Sequence, residues 1–139
     1  MTRHNYAAGL VEELKDQGLK MTSPRYRVIE RVASRDGNFT AEELAAELAP
    51  VGRATVYRTI KLLLDRGLIC QVVLNDGSVC YRPSHTAHHH HVVCVSCGAT
   101  EDIQISEVES VLSGVRETSG YQVMGHRVEV YGFCPRCKS

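Results

Sequence analysis

Apolar residues recur at helical spacing in the first part of the chain, which predicts two amphipathic helices. The first runs from Ala7 to Leu14 and ends before Gly18. The second begins after Thr22, whose hydroxyl can cap a helix, and has Pro24 in the first turn, where helices tolerate proline. Its predicted apolar face consists of Val28, Ile29, Val32 and Ala33.

Two further helices are predicted before the first β-prone segment. Thr40 and Glu43 have the spacing of a capping box, in which each side chain binds the backbone N–H of the other residue, and they predict a short third helix. A longer fourth helix spans Arg53–Arg66 and ends at Gly67. The residues predicted to be buried on it are Val56, Ile60, Leu63 and Leu64.

A β-hairpin is predicted directly after these helices. Leu68–Leu74 and Ser78–Tyr81 are β-prone, and the Asn75-Asp76-Gly77 segment between them favours a tight turn. Helices followed by a hairpin are the element order of a winged helix-turn-helix. We therefore predict a winged-helix DNA-binding domain over residues 1–83 and a hinge over residues 84–91.

The rest of the chain, residues 92–139, is predicted to form a second, smaller domain with strands and a helix. The predicted elements are strands Val92–Val95, Glu101–Ile105 and Tyr121–Phe133, and a helix from Ser106 to Gly120. Ser106 and Glu109 have capping-box spacing at the start of that helix. The predicted fold class is α+β. A domain of about 50 residues is marginal alone and often needs a metal or a partner chain.

Composition narrows the class of protein. No run approaches the about 20 apolar residues that a membrane-spanning helix needs. The first ten residues lack the apolar core of a secretory signal, so we expect a cytoplasmic protein. The formal net charge is zero, and charge alone therefore does not predict a nucleic-acid partner.

Four of the six cysteines form two pairs with two-residue gaps, Cys94/Cys97 and Cys134/Cys137. Disulfides are rare in a reducing compartment, whereas two such pairs can supply the four thiolates of a tetrahedral zinc site. The spacing predicts a zinc site that joins the start of the second domain to its end. Inert buried cysteines are the alternative, which two pairs in one short domain make improbable.

An internal run of four histidines, His88–His91, precedes the first cysteine pair. Alternate side chains of an extended segment point to opposite faces. His88 and His90 could therefore serve one metal site, and His89 and His91 another. A flexible polar loop is the alternative interpretation.

Each face of the histidine run needs further ligands. Glu109 and His126 are candidates for one face, although Glu109 could instead complete the capping box of Ser106. Candidates for the other face are Cys70, Cys80 and His85. Cys80 could equally be a small buried hydrophobe, as free cysteines often are.

Four segments of the chain are distinctive in combination: Arg53–Thr59, His88–His91, Cys94–Gly98 and Cys134–Cys137. Together they resemble the ferric uptake regulator family, over nearly the whole chain. The resemblance implies a homodimer in which each protomer has an N-terminal winged helix and a C-terminal α/β dimerisation domain. It also implies regulated metal binding at the hinge, which closes the dimer onto an AT-rich inverted repeat in operator DNA.

The resemblance further implies three metal sites. The four paired cysteines match a structural zinc site. A secondary site in the dimerisation domain is matched by His88, His90, Glu109 and His126. His89 and His91 match the regulatory site at the hinge.

The regulatory site departs from the family's iron and peroxide sensors, which usually supply a histidine just before the third helix. This chain has Asn38 near that place. Zinc sensors usually draw one ligand from the first wing strand and a cysteine from just after the wing. The corresponding residues are Cys70 and Ser84-His85, so the predicted regulatory ligands are Cys70, His85, His89 and His91. One thiolate with imidazoles suits Zn²⁺ better than Fe²⁺ or Mn²⁺.

The fourth helix is the predicted DNA-recognition helix. Arg and Lys can contact guanine or phosphate, and Thr and Tyr can contact phosphate or thymine methyl groups. The predicted DNA contacts are Arg53, Thr55, Tyr57, Arg58 and Lys61, with Lys20 and Arg25 before and within the second helix. Any single basic residue among them could instead be an ordinary solvated charge.

These features predict a zinc-dependent repressor of metal-uptake genes that is not an enzyme. An iron- or peroxide-responsive repressor is the alternative within the same family. A zinc-ribbon interaction module would have no need of the helical half. A zinc hydrolase would need an open metal position and a general base, and no HExxH-type spacing is present.

Overall fold

The computed structural model describes residues 3–84 and 88–138, with side chains from Ala7 onward. The chain divides into two compact units, Met1–Ala87 and His88–Ser139. His85, one of the predicted regulatory ligands, lies outside the described residues. The first unit contains α1 (Arg3–Asp16), α2 (Ser23–Ala33), α3 (Ala41–Glu47), α4 (Arg53–Asp65), β1 (Ile69–Val73) and β2 (Val79–Pro83). The second contains β3 (His90–Cys94), β4 (Thr100–Ile103), α5 (Ser106–Leu112), α6 (Val115–Ser119) and β5 (Glu129–Gly132).

Helices α2, α3 and α4 begin where the sequence predicts, whereas α1 begins at Arg3, before the predicted Ala7. The Thr22 hydroxyl accepts a hydrogen bond from the Arg25 N–H at 3.3 Å, and Thr40 and Glu43 form both bonds of the capping box. The apolar faces of the helices meet in one core, whose fully buried members include Leu14, Val28, Ile29, Val32, Leu44, Val56 and Leu63. None of the helices in the described part of the chain has the length and apolarity to cross a bilayer.

One predicted core position on α4 is wrong. Leu64 is only half-buried, and Thr59 is buried in the core in addition to Val56, Ile60 and Leu63. The Thr59 hydroxyl donates to the Thr55 carbonyl at 2.7 Å. This local bond allows a polar side chain to be buried, because its donor is satisfied within its own helix.

The predicted hairpin is present as β1 and β2, which pair antiparallel from Ile69 opposite Pro83 to Val73 opposite Val79. Gly77 has a φ of 86° in the connecting turn, a conformation that favours glycine. Phe39 adds a bridge to Tyr81, and the two N–H···O distances are 2.9 and 2.7 Å. The hairpin is thereby attached to the segment that precedes α3.

The second unit is built on a three-stranded sheet in the order β4-β3-β5. β3 is antiparallel to β4 and parallel to β5. It begins at His90, earlier than the predicted strand Val92–Val95, because His90 and His91 also pair with neighbouring strands. The last part of the histidine run therefore belongs to the central strand of the sheet.

The predicted helix from Ser106 to Gly120 is interrupted. Between α5 and α6, the Gly114 N–H binds the Val111 carbonyl at 3.3 Å, three residues back instead of four. Glycine is a poor helix former, which explains a break at this position. Gly120 ends α6 with a φ of 75°, as the sequence predicts.

The predicted strand Tyr121–Phe133 is too long. β5 covers only Glu129–Gly132, and residues 121–128 have no regular secondary structure. A strand needs a neighbour for its backbone N–H and C=O groups, and within this segment only residues 129–132 pair with β3. Tyr121, Val123 and Met124 remain 75, 47 and 89% exposed. The alternating pattern therefore marks an apolar surface rather than a strand within one chain.

Candidate metal centres and nucleic-acid interface

The topology of the second unit brings the two cysteine pairs together. Cys94 ends β3, and Cys97 follows in a turn completed by Gly98, whose φ is 78°. Cys134 and Cys137 occupy the turn after β5. Because β3 and β5 run parallel with Cys94 opposite Gly132, both turns leave the sheet at the same edge. Pairs far apart in sequence thus become neighbours.

The four sulfur atoms have the spacing of a tetrahedral site. All lie within 4.8 Å of one another, and the Sγ atoms of Cys97 and Cys134 are 3.9 Å apart. Thiolates at Zn–S distances of about 2.3 Å around a tetrahedral ion are about 3.8 Å from each other. The donor set and its spacing therefore fit one zinc ion.

Backbone groups favour the charged form of one of these thiols. The Cys134 N–H points to the Cys94 sulfur at 3.4 Å. Hydrogen bonds from the backbone of Cys134 and Cys97 lower the pKa of Cys94 to about 6. Since the thiolate is the ligand form of cysteine, this thiol is prepared for metal binding at neutral pH.

A second cluster forms on one face of the histidine run. His88 Nε2 is 3.0 Å from Glu109 Oε1 and 3.1 Å from His126 Nε2. His126 Nε2 is 2.9 Å from Glu109 Oε2, and His90 Nε2 also contacts the Glu109 carboxylate. Three imidazoles and one carboxylate converge, with ligand atoms within 4.8 Å of one another. This donor set also fits a tetrahedral ion.

Glu109 takes part in this cluster and not in a helix cap. Ile105 occupies the capping position of α5, and no side chain there accepts a capping hydrogen bond, so the predicted Ser106–Glu109 capping box is wrong. Hydrogen bonds from His90, His126 and His88 lower the pKa of Glu109 to about 2. The carboxylate is therefore ionised under all ordinary conditions.

The other face of the histidine run carries His89 and His91, whose Nε2 atoms are 3.1 Å apart. Both side chains are about 6% exposed, and the Asp102 Oδ1 lies 3.8 Å from each Nε2. Burial, and then the neighbouring His89, lower the pKa of His91, which favours the neutral imidazole that binds metals.

Sequence reasoning missed two carboxylates around His91. Asp102 and Glu129 stand opposite His91 on β4 and β5, and the Glu129 Oε1 lies 3.7 Å from the His91 Nδ1. Glu129 lies at Nδ1, away from the Nε2 that faces His89, and a carboxylate in that position fixes the ring and its tautomer when Nε2 ligates a metal. Only the strand register identifies these residues, because nothing in their sequence spacing distinguishes them.

Two cysteines of the hairpin in the first unit are candidates for this face, and Cys70 is the one in the predicted regulatory set. Cys70 is half-buried in β1, opposite Arg82. Cys80 is buried in β2, and its burial raises the pKa of the thiol, as expected for a small core residue.

The predicted DNA contacts on α4 differ in their surroundings. Arg53, Tyr57, Arg58 and Lys61 are exposed, and Thr55 is half-buried. Lys61 pairs with Asp65 at 3.2 Å, whereas Arg58 forms no ion pair within the described part of the chain. Arg53 Nη2 binds Glu42 Oε1 at 2.7 Å, and Tyr57 binds the same oxygen. Sequence reasoning did not include Glu42 in this surface.

The two other predicted phosphate contacts lie at the start of α2. The Arg25 guanidinium donates to the Lys20 carbonyl at 2.5 Å, and the side chain of Lys20 is on the exposed surface. Lys20 precedes α2 by three residues and Arg25 lies in its first turn, so both basic residues are close to a helix N-terminus along the chain. Such groups commonly bind phosphate.

Comparison with known proteins identifies the group to which this arrangement belongs. The ferric uptake regulator family matches residues 16–131. The chain belongs to this family. Members of the family are metal-responsive transcriptional regulators that bind operator DNA as dimers and are not enzymes. The winged-helix and dimerisation domains of the family correspond to the two units of the chain.

Individual relatives within the family respond to different signals. The ferric uptake regulation protein of Legionella pneumophila is 33% identical over 132 residues, covering 91% of this chain and 97% of the relative. A peroxide-responsive repressor from Staphylococcus epidermidis is 26% identical over 132 residues, covering 92% and 87%. A solved zinc uptake regulator in complex with zinc and DNA has a TM-score of 0.82 at 21% identity, covering 98% of this chain and 95% of that chain. That structural likeness establishes the fold, and the regulatory metal follows from none of the three.

Proposed function

We infer that this protein is a zinc-responsive repressor of metal-uptake genes, active as a homodimer on operator DNA. The observation that carries this proposal is the buried pair His89 and His91, with Nε2 atoms 3.1 Å apart, in a chain whose wing strand offers the thiol of Cys70. A thiolate with imidazoles is a donor set that Zn²⁺ prefers over Fe²⁺ or Mn²⁺.

The regulatory site of the proposal consists of Cys70, His89 and His91, with His85 as a further ligand. Cys70 lies in the DNA-binding unit, whereas His89 and His91 lie in the second unit. A shared ion would bind one arrangement of the two units better than others, and this difference in affinity shifts the population towards it. To raise the fraction of dimers in the DNA-binding arrangement from 1% to 99%, the ion must bind that arrangement about 5.5 kcal/mol more tightly than the other.

The other two clusters have supporting roles in this proposal. The four paired cysteines hold a structural zinc that closes the turns at one edge of the sheet. His88, His90, Glu109 and His126 hold a second ion that ties α5 and the segment before β5 to β3. Both roles rest on the ligand spacing in the second unit.

The surface of the second unit supports the dimer of this proposal. Val111, Tyr121, Met124 and Phe133 are 75, 75, 89 and 63% exposed. Large apolar residues concentrated on one small unit indicate an interface with another chain. In the proposed dimer this surface is covered by the same unit of a second copy.

An iron- or peroxide-responsive repressor is the second candidate, and one observation favours it. The Asp102 carboxylate lies 3.8 Å from both regulatory imidazoles, and an oxygen ligand there would suit Fe²⁺ or Mn²⁺. The two candidates differ in whether Cys70 is needed for the response.

The deciding experiment measures operator binding against buffered free Zn²⁺, Fe²⁺ and Mn²⁺ for wild type, Cys70→Ala and Cys80→Ala. Cys80 is the matched control, because it is a thiol of the same hairpin that is buried in β2. We expect zinc to activate wild type and Cys80→Ala, and Cys70→Ala to need at least about tenfold more free zinc while retaining the dimer and the structural zinc. Equal activation of Cys70→Ala by zinc, or activation of wild type by Fe²⁺ and not by zinc, would refute the proposal.

A further inference from the structure

Glu42, in the first turn of α3, joins two side chains of α4. Its Oε1 accepts a hydrogen bond from Arg53 Nη2 at 2.7 Å and another from the Tyr57 hydroxyl. The Arg53 guanidinium lies 5.6 Å from the centre of the Tyr57 ring, and Nη2 is 3.5 Å from the hydroxyl. One carboxylate thus fixes the positions of an arginine and a tyrosine that are one helical turn apart.

This cluster contributes little to the fold. The side chains of Arg53 and Glu42 are 64 and 62% exposed, and Tyr57 is 41% exposed. Exposed ion pairs of this kind add little to stability, because water and salt screen them. The arrangement therefore affects the binding of other molecules to this surface more than it affects the stability of the core.

A carboxylate at this position opposes the affinity for DNA. It repels phosphates and offsets the charge of Arg53, whereas an unpaired Arg53 would strengthen attachment to any duplex. The hydrogen bond from Arg53 lowers the pKa of Glu42, so the carboxylate stays charged at neutral pH. A group that weakens all binding can still improve discrimination, if it weakens binding to wrong sequences more.

We propose that Glu42 is a specificity-determining positioning residue, which holds Arg53 and Tyr57 in the arrangement that reads operator bases and lowers affinity for other DNA. The proposal rests on the proposed function, in which α4 recognises DNA. Arg53 retains the N–H groups that Glu42 does not bind, and these can reach guanine or phosphate. Tyr57 retains its ring, which can contact a thymine methyl group.

The test uses the zinc-loaded full-length protein and a pool of duplexes with a randomised central region. Sequences that wild type enriches give a selected duplex, and a scrambled version gives the competitor. Affinity for both is then measured for wild type, Glu42→Ala, Glu42→Gln and Glu47→Gln. Glu47 is the matched control, because it lies on the same helix and pairs with Arg31 at 2.7 Å and Arg35 at 2.9 Å instead of with α4.

We expect Glu42→Ala to bind the scrambled duplex more tightly and to lose about tenfold of the ratio between selected and scrambled affinity, the scale of one base contact. Glu42→Gln should lose less, and Glu47→Gln should keep the wild-type ratio. A merely structural role would weaken binding to both duplexes together and lower the melting temperature. An unchanged ratio in Glu42→Ala, or an equal loss in Glu47→Gln, would overturn the inference. A wild-type protein that enriches no sequence would contradict the proposed function itself.

Discussion

Glu109 has two roles compatible with its sequence position, and its surroundings decide between them. It follows Ser106 by three residues, yet its carboxylate contacts His88, His90 and His126 instead of the start of α5. Hydrogen bonds from these imidazoles favour the ionised form, which is the form that coordinates cations. The capping box does not form, because α5 places the Glu109 carboxylate against the histidine run.

Replacing Glu109 by Gln should remove the secondary metal without removing the structural zinc. The amide keeps the size of the side chain but lacks the negative charge that balances a divalent ion between three imidazoles. We expect the metal content of the purified protein to fall by one ion per protomer, and the same for His126→Ala. Glu107→Gln is the matched control, because Glu107 lies in the same turn and contacts only Ser106 in the hydrogen bonds found there. Unchanged stoichiometry in His126→Ala would argue against this ligand set.

Cys94→Ser should have a far larger effect, because Cys94 is both a buried strand residue and one of four thiolates. Structural zinc sites contribute about 10 kcal/mol to the folding of small domains. We expect loss of the zinc with unfolding of the second unit or loss of the dimer, measured by metal analysis, circular dichroism and sedimentation. A stable dimer without zinc and with an unchanged spectrum would contradict the assignment.

The sequence predicts the candidate metal-ligating side chains more completely than the carboxylates that surround them. Cysteine spacing and the alternation of an extended histidine run indicate the three clusters, because both depend only on local geometry. Asp102 and Glu129 could not be found in this way. They approach His91 through the registers of two different strand pairs, and register depends on the packing of the whole unit.

At the scale of elements, local signals predict helix starts and turns better than they predict long strands. Thr22, Thr40 and Gly77 act through bonds or angles within a few residues, and each behaves as expected. The strand predicted over Tyr121–Phe133 needs a partner along its whole length, and β3 provides one only for residues 129–132. Whether a strand finds such a partner depends on tertiary packing, which a local sequence pattern does not specify.

The proposed recognition helix, α4, can be tested by replacing its exposed basic residues. Arg58→Ala should weaken binding to the selected operator by about tenfold, because an exposed arginine that has no ion pair among residues 7–84 and 88–138 is available for a base or phosphate contact. Metal content should not change, since α4 contributes none of the predicted metal ligands. Lys61→Ala is the comparison, because Lys61 already pairs with Asp65 at 3.2 Å and should contribute less. Normal operator binding by both Arg58→Ala and Tyr57→Phe would mean that α4 is not the recognition helix.

At the scale of the whole molecule, the second unit has too little core to explain its apolar composition. Its buried apolar residues are Val93 and Cys94, next to the buried histidines, while Val111, Tyr121, Met124 and Phe133 remain exposed. Metal sites compensate for part of this deficit. The exposed apolar side chains indicate that a second chain supplies the rest.

Met124→Asp should therefore separate the dimer. A charge placed at the most exposed apolar residue of this surface would lose its hydration on association, which costs several kcal/mol unless it is paired. We expect a monomer in sedimentation equilibrium, with the structural zinc retained and operator binding lost, because each protomer alone reaches only half of an inverted repeat. Gln104→Asp is the control for the added charge, since Gln104 is exposed and polar already. A Met124→Asp protein that remains dimeric at micromolar concentration and binds its operator normally would place the interface elsewhere on the second unit.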